Sequence, residues 1–113
     1  MQKQIIDFNT FAEAANKLDI RFGVISEAER IPKNKKMVKL TANFGEFNRI
    51  LVSNIGSKVE DVATLIGKTF PFILNLEKRE LNGILSEAMI LMDVLEATPG
   101  FELLPFIEIK ERI

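Results

Sequence analysis

The chain of 113 residues contains no cysteine, histidine, tyrosine or tryptophan. Without cysteine there can be no disulfides and no thiolate metal ligands, which fits a reducing compartment. Without histidine, Ser-His-Asp and Cys-His catalysis and imidazole zinc sites are excluded, and the usual general base near neutral pH is missing. No stretch approaches the ~20 apolar residues of a membrane span. Met1 to Phe8 has neither the apolar core nor the small-residue cleavage site of a signal peptide. The expectation is a soluble, cytoplasmic protein that makes no membrane contact. The 16 Asp and Glu are spaced so that they single out no acid–base pair and no metal site. Neither enzyme activity nor a cofactor is therefore expected.

What is present is enough for one packed domain. Apolar residues make up 47% of the chain, a normal share for a globular core, and a domain of this size folds without covalent staples. The net charge is −1, but its distribution is uneven. Arg30, Lys33, Lys35, Lys36 and Lys39 fall within ten residues that include no acid. A neutral total therefore hides a local positive patch.

Asn9 to Leu18 reads as a short helix capped by Asn9 or Thr10. Phe11, Ala14, Ala15 and Leu18 form one apolar face that would plug the end of a core. Ile20 to Ala28 has the composition of a strand, and Gly23 within it suggests a bulge or bend. Ile31 to Lys35 is a loop. Met37 to Phe44 alternates cleanly, with Val38, Leu40, Ala42 and Phe44 on one face, and Asn48 to Ser53 returns as a third strand. Val59, Val62, Ala63 and Ile66 suit a short helix stopped by Gly67. Phe70 to Leu76 is an apolar strand, Glu77 to Gly83 a charged connection, and Ser86 to Met92 the last clear strand. Pro99-Gly100 marks a turn, with extended pieces at 103–106 and 107–109. The β-β-β-α-β-β order fits an all-β protein, a small closed five-stranded barrel of the OB type. A helical extension over residues 1–17 precedes the barrel domain at 18–113.

Four segments are more specific together than any one alone. They are Leu18-Asp19-Ile20-Arg21-Phe22-Gly23; Ile31-Pro32-Lys33-Asn34-Lys35-Lys36-Met37-Val38-Lys39-Leu40; Ile50-Leu51-Val52-Ser53; and Ile66-Gly67-Lys68 followed by Asn75 through Leu91. In this order they resemble the tRNA-binding domain at the C-terminus of many methionyl-tRNA synthetases. The same domain occurs in the N-terminal part of bacterial phenylalanyl-tRNA synthetase β chains. It also occurs as stand-alone bacterial proteins, including the CsaA type described as export-related chaperones. This chain departs from the pattern at several points. Ile31-Pro32 replaces His-Pro. Asn34-Lys35-Lys36 replaces Ala-Asp-Lys, which exchanges an acid for a base and favours phosphate contact. Ser53-Asn54 replaces Ser-Gly, Ala88 a glycine, and Glu87 a common glutamine. Ser86-Glu87 leans toward the CsaA type, and Phe106 to Ile113 lacks the family's usual ending.

The resemblance implies an OB barrel that binds tRNA without regard to amino-acid identity. It also implies a homodimer, with the N-terminal extension a candidate part of the contact. Under this reading Lys33, Lys35 and Lys36 in the first interstrand loop, Arg49 on the third strand, and Lys78 and Arg79 after the fourth should meet on one basic wall. Ser53, Asn75 and Ser86 would hydrogen-bond phosphate, ribose or base edges, and Met89 would lie under a base. Phe47 is a candidate stacking residue. Each has a plainer alternative: solvated charge for the lysines, backbone capping for the polar residues, core packing for Met89 and most phenylalanines. The expected partners are tRNA and either an aminoacyl-tRNA synthetase or unfolded polypeptide. The competing reading is a CsaA-like chaperone that holds unfolded polypeptide. An exposed apolar patch on the barrel would favour that reading, and steep salt dependence of tRNA binding would favour the first.

Overall fold

The computed structural model describes residues 3–93. Helix α1 (Phe8–Asn16) is capped by Asp7, whose side chain accepts a bond from Thr10 N at 2.8 Å. That backbone bond holds the Asp7 carboxyl below its ordinary pKa. The helix does not plug the barrel as its apolar spacing suggested. It buries no residue, and Phe8 and Phe11 are 75% and 54% exposed. The chain is instead tethered just past the helix by Asn75, which donates to Lys17 O at 2.7 Å and accepts from Asp19 N at 2.8 Å.

Strand β1 (Ile20–Arg30) serves two neighbours. Its first half pairs antiparallel with β4 (Thr69–Ile73), from Ile20↔Ile73 to Val24↔Thr69. Its second half pairs with β2 (Val38–Asn43), from Val24↔Asn43 to Arg30↔Val38. The register shifts between Ile25 and Glu27, so the bulge that curls the strand lies at Ser26 and not at Gly23. β3 (Asn48–Ser53) pairs along the whole of β2. After two 3-10 turns, Asn54–Ser57 and Val62–Leu65, the chain enters β4. β5 (Arg79–Leu81) and β6 (Ile84–Ser86) form a hairpin, and β7 (Met89–Ile90) returns to β4. The five-stranded sheet runs β3-β2-β1-β4-β7. It is nearly closed into a barrel where Glu87 N donates to Ile50 O at 2.8 Å and Ser86 Oγ accepts from Val52 N at 3.1 Å.

The helix expected between the third and fourth strands is therefore two separate turns. Ser53 and Asp61 cap them with side-chain bonds to Ile55 N and Ala63 N. Arg30 donates to the carbonyls of Gly56, Val59 and Glu60, which ties the segment between the two turns to the end of β1. The charged connection is likewise ordered. Asn82 and Gly83 both have positive φ, +53 and +80, as the Asn-Gly turn of a two-residue hairpin requires. The turn expected at Pro99-Gly100 and the extended pieces at 103–109 lie outside the described residues.

The core gathers Ile25, Val38, Leu40, Leu51, Phe72 and Ile90, none more than 1% exposed. Gly23 is required by a close approach. A Cβ there would lie 2.6 Å from the Phe44 ring, which stacks on Phe47 and meets Phe72 edge-on, each at 5.4 Å. Gly23→Ala should gain a few tenths of a kcal/mol from backbone entropy yet lose about 1–3 kcal/mol from displacing a ring pinned on two sides. A lowered urea midpoint is the expected result. A raised midpoint would show that Phe44 yields.

Candidate nucleic-acid interface

Alternation decides what each strand offers to solvent. Val38, Leu40 and Ala42 are fully buried, so Lys39 and Thr41 point outward. Directly paired residues share a face, and Lys39 pairs with Val52 and Thr41 with Ile50. Lys39, Thr41 and Ile50, all half-buried, make the outer wall of β2–β3, while Val52 on the same face is buried at 6% exposure. Lys39 Nζ lies 3.6 Å from Glu29 Oε1 on β1. Lys39 belongs to the basic run of the sequence but not to its site candidates, although the alternation that places Val38 and Leu40 inside also places Lys39 outside.

The wall has two borders. At one mouth lies the 31–37 loop, where Lys33, Lys35 and Lys36 are all exposed. Among the described residues no carboxylate pairs with them. A cleft of about 790 Å³ separates this loop from the 56–60 segment, with Lys33, Lys35 and Lys58 on its sides. The other border is the β5–β6 hairpin. Ser86 bonds Val52 and Glu87 bonds Ile50, so β6 runs antiparallel to β3. Its turn points toward the Ser53 end, where Val38 opens the lysine loop. Between wall and hairpin is a slot of about 230 Å³ whose lining includes Val52, Leu76, Leu81 and Met89 together with the charged residues Glu77 and Arg79. Exposed Arg79 and half-buried Met89 thus share one apolar recess on the side that carries Lys39.

Other candidates are placed elsewhere or occupied. Arg49 pairs with Ala42, a core residue, so it faces inward at the far end of the barrel. Four residues of strand, about 13 Å, separate it from Ser53 and the lysine end. Its Nη1 donates to Glu87 O at 3.0 Å and Leu74 O at 3.5 Å. Phe47 is half-buried beneath two guanidiniums, Arg49 at 5.2 Å and Arg21 at 5.8 Å from the ring centre. Asp19 in turn bonds Arg21 and raises its already high pKa. Lys78 lies 3.7 Å from Glu87 Oε2, next to the slot. Ser53 and Ser86 are buried, and their hydroxyls accept from Ile55 N and Val52 N. Asn75 is spent on the tether described above. Lys33, Lys35, Lys36, Arg79 and Met89 therefore border one wall, while Arg49 stands apart from the loop lysines.

Among the described residues no group of three His, Cys, Asp or Glu could hold a metal ion, and no helix is long and apolar enough to cross a membrane.

A family model described as "Putative tRNA binding domain" matches residues 20–97. The methionine–tRNA ligase of Cytophaga hutchinsonii is 41% identical over 90 residues, 80% of this chain and 12% of that protein. That of Methanocaldococcus jannaschii is 47% identical over 77 residues, 66% of this chain and 11% of its own length. The chain thus spans only about an eighth of these relatives. Among solved structures, the MetRS related protein from Pyrococcus horikoshii superposes with a TM-score of 0.66 at 30% identity, covering 78% of this chain and 76% of that one. The CsaA chaperone protein from Picrophilus torridus superposes with a TM-score of 0.61 at 25% identity, covering 76% and 78%. With the match running over most of the barrel, the chain belongs to the tRNA-binding domain family.

Proposed function

We propose that this protein is a non-catalytic, cytoplasmic tRNA-binding module that holds tRNA across the outer wall of β2–β3, independently of the attached amino acid. The observation that carries the reading is the pairing of three exposed lysines at one border of that wall with an apolar slot and Arg79 at the other. Lysines supply phosphate neutralisation, which dominates affinity but reads no sequence. The slot offers Leu76 and Met89 to the face of an unstacked base, with the Arg79 guanidinium at its rim. Nothing in this arrangement distinguishes one esterified amino acid from another. Family relatives that are methionine–tRNA ligases support a role beside a synthetase.

The division into an N-terminal extension (1–17) and a barrel domain (18–113) belongs to the same proposal, and a homodimer would give the extension a partner. Helix α1 has nine residues with none buried, shorter than an isolated helix needs to persist in water. Ile20, Phe22 and Val24 are 45%, 71% and 41% exposed along one outward edge of β1. A second copy would cover both. The same apolar row supports a second reading, a surface that holds unfolded polypeptide, in keeping with the CsaA neighbour.

The deciding experiment is a filter-binding titration with bulk tRNA at two salt concentrations. Affinity should fall steeply with salt and be equal for charged and uncharged tRNA. A slope near zero would remove the nucleic-acid reading and leave the polypeptide one.

A further inference from the structure

Arg30 ends β1 at the mouth of the lysine loop. Its Nη1 donates to Lys35 O and Gly56 O, both at 3.0 Å, and its Nη2 to Val59 O at 2.6 Å and Glu60 O at 3.0 Å. One planar group thus ties the lysine loop to the segment that forms the opposite side of the 790 Å³ cleft. Gly56 N adds a second tie by donating to Lys36 O at 2.9 Å. A guanidinium has five N–H donors, four of them on the two Nη atoms. All four Nη donors are engaged here, so no fork remains for a phosphate.

The loop that Arg30 holds is strained. Lys33 has φ +65, a left-handed conformation, in a turn closed by Asn34 N to Ile31 O at 3.1 Å. The Asn34 side chain then accepts from Lys36 N at 3.0 Å and Met37 N at 3.1 Å. A non-glycine residue keeps such a conformation only where its surroundings over-determine it. Resting on the tRNA reading above, we infer that Arg30 is a positioning residue. It fixes Lys33, Lys35 and Lys36 in advance for consecutive backbone phosphates and does not itself touch RNA. Lysine cannot replace it, because one ammonium has three rotatable donors and no plane with which to span four carbonyls on two segments.

The test uses Arg30→Lys, which keeps the charge, and Arg30→Gln, which removes it. With the loop no longer fixed, trypsin should cleave after Lys33, Lys35 and Lys36 faster in R30K than in the wild type at an unchanged urea midpoint, reporting local opening. R30K should bind bulk tRNA roughly threefold to tenfold more weakly, the cost of ordering the loop on binding. The slope of log affinity against log salt should stay the same in both variants, since the same lysines meet the same phosphates once bound. In a background with Lys33, Lys35 and Lys36 all changed to alanine, at low ionic strength, R30K should have no effect. The inference is overturned if R30K weakens binding equally in both backgrounds, which marks a general effect on the fold. It is also overturned if R30Q lowers the slope by the ~0.7–0.9 of one lost phosphate contact, or if R30K changes neither cleavage nor affinity. If wild-type protein fails to bind tRNA, the ligand assigned to this loop falls with the tRNA reading. The tryptic comparison then still decides whether Arg30 fixes the loop.

Discussion

The Lys35→Ala, Lys36→Ala double variant should bind bulk tRNA about thirtyfold more weakly near 0.1 M salt and lose that difference toward 1 M. Each lysine that neutralises a phosphate releases counterions and contributes ~0.7–0.9 to the slope of log affinity against log salt. Two contacts therefore contribute roughly 1.4–1.8 log units over the decade from 0.1 to 1 M. Both side chains are exposed, and no carboxylate among the described residues competes for them. Their removal should leave the fold within about 0.5 kcal/mol of the wild type, so a loss of binding would not be a loss of structure. The weakening should be uniform across tRNA species, because phosphate contacts carry no sequence information. Lys39 is the natural comparison. It is on the wall but pairs with Glu29, so Lys39→Ala should lower the slope less than either loop lysine. If the double variant keeps the wild-type slope, the loop is not the contact.

How much of this was legible in the sequence depends on whether the determining partner is local or distant. Strand β3 was legible to the residue, because Asn48 to Ser53 is set off by a turn and an apolar run. β2 was legible through the alternation of Val38, Leu40 and Ala42. The same alternation carried information that was not used: Arg49, Leu51 and Ser53 share a face, and one of them is core. Arg49 could thus have been read as pointing inward. The Asn82-Gly83 hairpin was also written in local turn chemistry, though the surrounding charges read as a plain connection. What the sequence could not reveal was long-range. The segment 56–67 has helical spacing, yet it forms two short turns, and the stretch between them is held by Arg30, 26 to 30 positions before Gly56, Val59 and Glu60, whose carbonyls it bonds. Asn75 looks like a ligand-binding amide beside an apolar strand, but its partners are backbone atoms of Lys17 and Asp19, 58 and 56 positions away. Ser86 likewise bonds Val52 N, 34 positions earlier. Helix α1 shows the opposite failure. Phe11, Ala14, Ala15 and Leu18 have helical spacing, yet all four are exposed and Leu18 lies beyond the helix end, since periodicity gives a side of a helix and never a neighbour to cover it.

In the proposed homodimer, Phe22→Glu should separate the two copies across the micromolar range. Along β1 the usual pattern is reversed: Gly23 and Ile25 face the core, while the outward row of Ile20, Phe22 and Val24 is apolar. Phe22 is the most exposed of the three at 71% and lies opposite Pro71, so the row is flanked by another apolar surface. A two-fold axis presents each such residue twice. Covering one phenylalanine contributes about 2 kcal/mol, so its loss from both copies costs about 4 kcal/mol, close to a thousandfold in dissociation constant. The glutamate adds the cost of burying an unpaired charge. Sedimentation equilibrium over a concentration series should therefore show one species where the wild type shows two. The β2–β3 wall lies on other strands, so each monomer should keep the wild-type salt slope toward tRNA. The polypeptide reading makes the contrary prediction. Wild-type protein would already be monomeric at these concentrations and would slow aggregation of an unfolded substrate. Phe22→Glu would then abolish that protection without changing the oligomeric state.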